Sequence, residues 1–465
     1  MRDTGATYGL GTRHSRVMLK TEKRATASLA LVCALRMLGL FMILPVFSLH
    51  AHEYAGATPV LIGLAIGVYG LTQGLFQLPF GFLSDRFGRK TVIVGGLLIF
   101  CVGSGLAAEA ESISQVIAGR ALQGLGAIAA AVMALAADLT REEVRLRIMA
   151  VIGMSIGASF MLSMVIGPIV AAGYGLRMLF WMTAVLAVLG ILVIVFITPN
   201  PSRQTFHRDA QVSLRDIGGV AGDIELLKLG FGVFVLHLVL AATFVVFPLV
   251  LQQNLQVDEA LHWRTYLPVF LLSIFLLVPL VIVAEKYRKS RLVFASAVVM
   301  LALAELGLAL SHTYVAVFAM LVLFFGAFNF LEAIMPATVT RIAPADMKGT
   351  AMGLFSSAQF IGAFAGGLLG GILLGAGDHT TTFLWLGGIL VVWFLVALTM
   401  KTPRYLASKI VSLRDLDAPG LERFVEQASK IDGVHEVSVY ESDKVAYLKV
   451  EQGFDDSELR ALVSH

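Results

Sequence analysis

Charged residues are scarce in this sequence: 14% of its 465 residues are Asp, Glu, Lys or Arg, whereas 57% are hydrophobic. Soluble globular proteins carry about 25% charged residues, so the composition excludes an ordinary water-soluble chain. Cysteine is nearly absent too. Cys33 and Cys101 both lie in apolar runs, which leaves no disulfide framework, no CxxC pair and no metal-ligand spacing. We therefore expect inert thiols, and we assign neither a metal nor a cofactor.

Signatures of catalysis are missing as well. The chain has no GxxxxGK[ST] loop to hold the phosphates of ATP, which argues against an ATP-driven pump. It has no HExxH pair and its 10 histidines are scattered, which argues against a membrane-embedded enzyme. The formal net charge is only +3, which does not indicate a basic surface for binding nucleic acid. We predict neither an enzyme nor a nucleic-acid-binding protein.

Long apolar runs make up most of the chain. A helix needs about 20 such residues to cross a bilayer, and the alternation of a β-barrel is missing. We predict an all-α polytopic membrane protein with twelve membrane-spanning helices, surrounded by lipid. The predicted spans are 27–49, 58–82, 91–108, 113–137, 147–172, 177–198, 228–251, 264–284, 292–310, 314–338, 349–375 and 380–400.

Basic residues collect in alternate connections between these spans. The opposite connections carry almost none, only Arg177 and Arg264 near helix starts. Because Lys and Arg are retained in cytoplasmic loops, we predict a cytoplasmic N-terminal segment (1–26), linker (199–227) and C terminus. The first apolar run has no A-x-A-like cleavage site, so it predicts an anchor rather than a removed signal peptide.

The chain also repeats itself at a period of about 200 residues, which is typical of transporters built from two similar halves. Residues 149–168 and 350–371 are similarly rich in small side chains. The loop AEKYRKSR (284–291) occupies the place that GFLSDRFGRK (81–90) has in the first half. We predict two six-helix bundles, 27–198 and 228–400, with a cavity between them.

The loop GFLSDRFGRK places one acid between two glycines. Gly81 predicts the close approach of a neighbouring helix, and Gly88 predicts a tight turn that a Cβ would crowd. Asp85 lies at the membrane edge, where Arg89 or the positive end of a facing helix can hold a carboxylate. The alternative is that the bases of the loop only set topology: Arg86, Arg89 and Lys90.

These residues resemble the motif G-x-L-x-D-R-x-G-R-K that transporters of the major facilitator superfamily carry between helices 2 and 3. Two more stretches are similar to that family. RALQGLGA (120–127) lies in the fourth span, and a pattern of drug/proton antiporters, with Gly157, Gly167 and Pro168, lies in the fifth. That pattern is imperfect, since Ser163, Ala171 and Ala172 stand at expected glycine places.

The resemblance covers residues 27–400 and implies the two-bundle fold of the superfamily in a bacterial inner membrane. It implies a small-molecule substrate and a proton as the coupling ion. It also implies that Asp138 is the partner of Arg89 and that Gly349–Met352 lies opposite the motif. Such a latch would hold the two bundles together on the cytoplasmic side.

Charges within the spans are costly and therefore informative. Arg120 resembles a helix-4 arginine that facilitators link to proton transfer. Because arginine keeps its proton, we expect it to tune a carboxylate or bind an anion, or else to hold helices together through backbone carbonyls. Its small neighbours predict packing against the first span. Arg36 joins the same buried network or lines the cavity.

Other polar residues are candidates for the cavity. Glu332 can bind and release a proton if it is desolvated, or it is permanently paired. His237 can titrate near neutral pH, or it is a hydrogen-bonded interior residue. We expect Glu305 to take part in helix packing or to lie at the rim of the cavity. Three glutamines complete the set of candidate cavity residues: Gln73, Gln77 and Gln359.

Beyond Lys401 the composition becomes that of a soluble domain. We predict a strand at 406–413, a helix at 417–431, strands in VHEVSVY and KVAYLKV, and a helix from Asp456. This βαββα order resembles a small α+β ferredoxin-like domain, but the CxxC of its metal-carrying members is missing. The domain, 401–465, either binds a regulator or another protomer, or is a passive cap.

We conclude that the sequence predicts a proton-linked secondary transporter that exports small molecules. A proton-coupled importer of a sugar or metabolite is the first alternative, because no cavity residue excludes it. The second is a non-transporting membrane sensor that acts through the C-terminal domain.

Overall fold

The computed structural model describes residues 18–200, 217–344, 347–401, 406–413, 418–440 and 445–451, together with residues 454, 455, 459 and 462. Most of the predicted N-terminal segment and of the predicted linker lie outside the described residues, as does the start of the predicted C-terminal helix at Asp456.

The described part of the membrane region is helical. Its first half contains α1 (Lys20–Phe41), α2 (Phe47–His50), α3 (Pro59–Phe87), α4 (Arg89–Ala108), α5 (Ile113–Leu125), α6 (Ala129–Asp138) and α7 (Glu142–Leu192). Its second half contains α8 (Ile217–Gly222), α9 (Ile224–Leu249), α10 (Trp263–Lys286), α11 (Ser290–Leu310), α12 (Tyr314–Ile342), α13 (Lys348–Ala376) and α14 (His379–Leu398).

Among the described residues, 11 helical segments are long and apolar enough to cross a membrane, whereas twelve were expected. The difference arises at α7, because α7 and the π-helical turn that follows it (Val193–Ile197) form one helical segment over both predicted spans, 147–172 and 177–198. Within it, Gly175 has φ 71° and ψ −178°, which is not helical. Only glycine adopts this conformation without strain, so the backbone breaks there.

Contacts with α1 show that the chain reverses direction at this break. Ser155 and Ser159 donate their hydroxyls to the carbonyls of Ala30 and Ala34, so the first part of α7 runs parallel to α1. Thr183 donates to Gly39, and Arg24 donates to Ile197. The second part of α7 is therefore antiparallel to α1.

The predicted span 113–137 is interrupted between α5 and α6. Around the interruption, a Cβ on Gly124 would lie 2.0 Å from Thr72 Oγ1 of α3, and a Cβ on Gly119 would lie 2.8 Å from the Ala107 nitrogen of α4. The small face of this segment therefore packs against α3 and α4. The expected contact with the first span occurs at Gly126, whose carbonyl accepts a hydrogen bond from Arg36.

The two bundles meet most closely along α3 and α13. A Cβ on Gly63 would lie 2.2 Å from the Gly367 carbonyl oxygen, and one on Gly67 would lie 2.6 Å from that of Phe364. Farther along, Ser357 donates its hydroxyl to the Gly74 carbonyl at 3.0 Å. The helices run antiparallel with their backbones in contact, a packing that only small residues permit. We call this interface the glycine seam.

An aromatic cluster joins the bundles beside the seam. Phe160 of the first half makes edge contacts with Phe244 and Phe270, with ring centroids 6.3 and 5.3 Å apart, and it also contacts Phe325. The aromatic cluster and the glycine seam both lie toward the membrane edge that is opposite the basic loops. The bundles are therefore packed against each other at that edge.

The C-terminal domain contains β1 (Leu406–Ser412), α15 (Ala418–Ala428), β2 (Val434–Tyr440) and β3 (Val445–Glu451). These four elements match the predicted order. The sheet is antiparallel with the order β1-β3-β2. Lys449 of β3 joins the domain to the helices, since its Nζ donates to the carbonyls of Arg341 and Ile342 at the end of α12.

The glycine seam leads to a first prediction. Gly63→Ala places a methyl group against the Gly367 carbonyl, and such overpacking costs about 1–3 kcal/mol. We expect a lower Tm in detergent and greater labelling of single cysteines placed between the bundles near the seam.

Gly105→Ala is the matched control, because no atom lies within 4 Å of its Cβ position. We expect a stability equal to that of the parent or higher, since alanine favours the helix. A Gly63→Ala protein as stable as Gly105→Ala would contradict the role of the seam.

Candidate functional site

The loop motif between α3 and α4 forms a charge cluster at the end of α3. Arg89 Nε donates to Asp138 Oδ2 at 3.2 Å, and Arg89 Nη1 donates to Ser84 Oγ at 2.7 Å. Asp85 forms a second ion pair with the same arginine. The Asp138 side chain is only 2% exposed, so Arg89 compensates a buried carboxylate. The expected contact between Arg89 and Asp138 is present.

The two glycines of the motif behave differently. Gly88 has φ 92° and separates α3 from α4, as a tight turn requires. Gly81, in contrast, lies inside α3, and its Cβ position is an ordinary 3.6 Å from Ala130 Cβ. Our expectation of a close approach at Gly81 was wrong. Arg86 is exposed and lies over the Phe87 ring.

The second half has a counterpart of this cluster with the charges rearranged. Glu285, at the end of α10, accepts two hydrogen bonds from Arg341 at the end of α12, at 3.0 and 2.9 Å. In the first half, the corresponding helix ends carry two acids, Asp85 and Asp138, with Arg89 between them. An acid at the same place in both halves therefore ties neighbouring helices in each.

Basic residues also bind the last carbonyls of two helices, which the sequence reasoning missed. Lys90 Nζ donates to the Thr198 carbonyl, and Arg24 donates to the Ile197 carbonyl. In the second half, Lys228 donates to the Thr399 carbonyl and Arg291 to that of Leu398. Cations stabilise the negative end of a helix, so each of these bases ties a neighbouring segment to a helix end. The spacing of about 200 residues could have revealed the pairs.

A polar network fills the first half around Arg36. Its Nη2 donates to Gln73 Oε1 at 2.7 Å, to Tyr69 Oη at 3.0 Å and to the Gly126 carbonyl at 2.9 Å. That carbonyl is available because the helix is interrupted between α5 and α6. Gln73 then donates to Gln77. Arg36 is 2% exposed, so it belongs to a buried network rather than a cavity wall.

Arg120 is held mainly by backbone and amide oxygens. It donates to Gln123 Oε1 at 2.9 Å and to the carbonyls of Ala65 and Ile66 at 3.3 and 3.4 Å. Its guanidinium also lies 5.3 Å from the centre of the Tyr69 ring. These partners favour the helix-tying interpretation over a direct role in proton transfer.

Three candidate residues of the second half meet in one cluster. Gln359 Nε2 lies 2.8 Å from His237 Nε2 and 3.1 Å from Glu332 Oε1. His237 Nε2 and Glu332 Oε2 are 3.7 Å apart. The Glu332 side chain is 39% exposed and the His237 side chain 13%, so a solute or a proton can reach the carboxylate. We call these residues the His-Gln-Glu cluster.

The side-chain amide of Gln359 links the histidine to the glutamate. Its nitrogen donates to Glu332 Oε1 and faces His237 Nε2, while His237 Nδ1 lies 3.2 Å from the Val233 carbonyl. A change at either end of the cluster therefore changes the hydrogen bonding of Gln359.

The other residues that the sequence singled out lie in α7 and α11. Glu305 is buried and accepts a hydrogen bond from Thr243 at 2.7 Å, which agrees with helix packing. In α7, a Cβ on Gly167 would lie 2.5 Å from the Met42 carbonyl, next to Pro168, so this glycine packs against the chain after α1. Gly157 has no atom within 4 Å of its Cβ position.

A pair of side chains joins the two halves at the edge opposite the basic loops. His50 Nε2 lies 2.9 Å from Glu259 Oε1, and His50 Nδ1 lies 3.0 Å from Glu53. The hydrogen bond with Glu259 is the main reason that the pKa of His50 is raised above its ordinary value, against the opposing effect of burial. The sequence reasoning missed this pair, because no local pattern joins residues so far apart.

Family comparison agrees with this architecture. The sequence profile of the Major Facilitator Superfamily matches residues 29–226 and 229–431. The chain belongs to the major facilitator superfamily. It is 43% identical over 438 residues to the inner membrane transport protein YajR of Escherichia coli K12, covering 93% of this chain and 95% of that protein. The expected family is confirmed, and this facilitator is a transporter rather than an enzyme.

More distant relatives agree with the facilitator fold. The multidrug resistance protein MdtH of Aeromonas hydrophila is 27% identical over 350 residues, which is 74% of this chain and 86% of MdtH. Among solved structures, a bacterial homologue of the lysosomal transporter Spinster, inward-facing and occupied, has a TM-score of 0.70 at 13% identity. That match covers 82% of this chain and 97% of the homologue.

The His50 pair leads to a second prediction. Because the pKa of His50 is raised, its stabilising ion pair is complete below the ordinary value of about 6.5 and is lost as pH rises through the raised value. Between about pH 6 and about pH 9 we expect a loss of up to about 1 kcal/mol that His50→Gln removes. Thermal unfolding at several pH values measures this loss.

His52→Gln is the matched control, since His52 is an exposed neighbour of the pair. The pH dependence of its Tm should match that of the parent protein. An unchanged pH dependence in His50→Gln, or one equally reduced in His52→Gln, would contradict the assignment.

Proposed function

We propose that this facilitator is a proton-coupled secondary transporter that exports small, amphipathic molecules by alternating access. The His-Gln-Glu cluster is the observation that carries the proposal. A carboxylate within the second bundle, partly exposed and in contact with a histidine, is the kind of intramembrane group that proton-driven transporters use. The name of MdtH, a multidrug resistance protein, supports export rather than import.

In the proposed cycle, Glu332 takes up a proton when the cavity opens to the more acidic side. The protonated carboxyl becomes a donor, so Gln359 turns its amide oxygen toward Glu332 and its bond with His237 changes. Because these residues lie on α9, α12 and α13, protonation alters contacts among three helices. One of them, α13, also forms the glycine seam, which links the proton to the opening of the bundles.

The charge cluster of Asp85, Arg89 and Asp138 is the proposed latch on the other side of the membrane. In the register of the glycine seam, the first turn of α13 lies level with the end of α3. The positive end of α13 can then meet Asp85 when the bundles close at the basic edge. Packing at the seam and the latch would alternate as the two closed states of the transporter.

We also propose twelve membrane crossings, with α7 contributing two of them on either side of Gly175. Both termini are then cytoplasmic, because the basic loops face that side. The relationship with an inner membrane protein of E. coli supports a bacterial inner membrane.

For the C-terminal domain we propose a ferredoxin-like fold and a regulatory role. The strand order β1-β3-β2 supports the fold. The contact of Lys449 with the end of α12 supports the role, because Arg341 at that helix end also holds α10 through Glu285. A regulator or a second protomer that displaced Lys449 would act on these helix ends. Transport that is unchanged after deletion of 404–465 would favour a passive cap.

Asp85→Asn is the third prediction. Without the carboxylate, the latch loses its acceptor for Arg89 and for the positive end of α13. We expect transport to be abolished while expression stays normal. The measurement is counterflow of a compound library in sealed vesicles, followed by quantitative transport of the compounds that respond.

Arg86→Gln is the matched control for this loop. Arg86 is an exposed base next to Asp85, so its replacement also changes the charge of the loop by one unit. We expect this variant to transport at nearly the parent rate. Asp85→Asn protein that transports normally would show that the loop only sets topology.

Glu332→Gln is the fourth prediction. A glutamine cannot bind the proton, so we expect exchange of substrate to continue while accumulation driven by a pH gradient is lost. Reconstituted vesicles with an imposed pH gradient separate these two activities. The direction of substrate movement relative to the proton distinguishes an exporter from an importer.

Glu111→Gln is the control, because Glu111 is an exposed glutamate outside the helices. Accumulation that persists in Glu332→Gln would overturn the proton-binding role. If the parent protein moves no compound at all, the sensor alternative gains support instead.

A further inference from the structure

A groove on the outer surface of the second bundle lies between the ends of α11 and α14. Its volume is about 890 Å³, and its apolar wall includes Leu292, Val299 and Phe394. The start of α11 and the end of α14 lie at the same level, because Arg291 donates to the Leu398 carbonyl. The groove therefore runs from the basic membrane edge into the hydrophobic layer and faces lipid rather than the space between the bundles.

The rim of this groove is basic. Arg288, Lys289 and Arg291 line its mouth. Among the described residues, neither Lys289 nor Arg291 forms an ion pair with a carboxylate, and the one acid of this loop, Glu285, is bound to Arg341. The positive end of α11 adds to the field at the same place. A basic mouth above an apolar groove is complementary to a molecule with an anionic head and acyl chains.

Backbone strain supports a binding role for Arg288. In the first half, the turn between the corresponding helices is made by Gly88 with φ 92°. In the second half, Arg288 occupies that turn with φ 54°, a left-handed conformation that costs energy for a residue with a side chain. Glycine would fit the turn better. The strained arginine therefore points to a function for its side chain at the rim.

We propose that this groove binds an anionic phospholipid of the surrounding membrane, with its phosphate at Arg288 and Lys289 and an acyl chain along α11 and α14. The site lies in the lipid-facing surface and is separate from the proposed proton and substrate path. It gives the loop 284–291 a role of its own, rather than that of a degenerate copy of the motif in the first half.

The test compares lipids that differ only in the head group. Full-length protein is delipidated in detergent and titrated with phosphatidylglycerol or with phosphatidylcholine of the same acyl chains, and binding is measured by native mass spectrometry. We expect phosphatidylglycerol to bind more tightly. A double variant, Arg288→Gly with Lys289→Gln, should bind it about tenfold more weakly and leave phosphatidylcholine unchanged.

Stability separates this role from a structural one. Since glycine suits the turn, the double variant should have a Tm in lipid-free detergent equal to that of the parent or higher. A lower Tm in lipid-free detergent would show that Arg288 and Lys289 serve folding, which overturns the proposal. Lys286→Gln removes an exposed charge of the same loop that does not line the groove. If Lys286→Gln weakens binding equally, binding depends on the total positive charge of the loop rather than on the groove, and the proposed site is wrong.

A steric variant tests the acyl-chain part of the site. Ser296→Phe fills the groove from an exposed position without changing charge, and Leu303→Phe places the same ring on another exposed part of α11. We expect only Ser296→Phe to weaken binding of phosphatidylglycerol. Equal binding of glycerol 3-phosphate, which has no acyl chains, would show a simple anion site and overturn the lipid proposal.

Discussion

Backbone contact between α3 and α13 sets the position of everything else in the membrane region. Glycine at Gly63, Gly67 and Gly367 lets the two helices meet without side chains between them. Through α3 the contact is continuous with the Arg36 network and the charge cluster at Asp85. Through α13 it is continuous with Gln359 and its two partners. The two halves carry different polar groups, and the seam is the closest backbone contact between the helices that carry them.

The halves differ in how they use buried charge. In the first half, Arg36 and Arg120 are satisfied by amide, hydroxyl and carbonyl oxygens. These neutral oxygens accept hydrogen bonds from the arginines and hold them in place, but they do not take up or release protons. In the second half, Glu332 and His237 share an amide donor and remain partly exposed. The buried arginines of the first bundle therefore tie helices together, whereas the second bundle contains the groups to which we assign the proton.

Much of this architecture follows from sequence, because hydrophobic length and positive charge are local properties. The helices and the order of the C-terminal elements were predicted in this way, whereas the pairing of Arg89 with Asp138 was implied by the resemblance to the superfamily. The register of helix contacts was not, since it depends on which small residues face each other. For that reason the close approach expected at Gly81 is absent, and the small face of α5 packs against α3 and α4. The His50 contact joins residues far apart in sequence and has no local signal.

The bases that cap the last carbonyls of the two halves carry a wider consequence. Lys90 and Arg24 bind the end of one helix segment, and Lys228 and Arg291 bind the end of its counterpart. Lys and Arg beside membrane spans also favour one orientation during insertion. In the proposed orientation, the same four side chains therefore serve twice: they guide insertion, and they tie helix ends together in the folded chain.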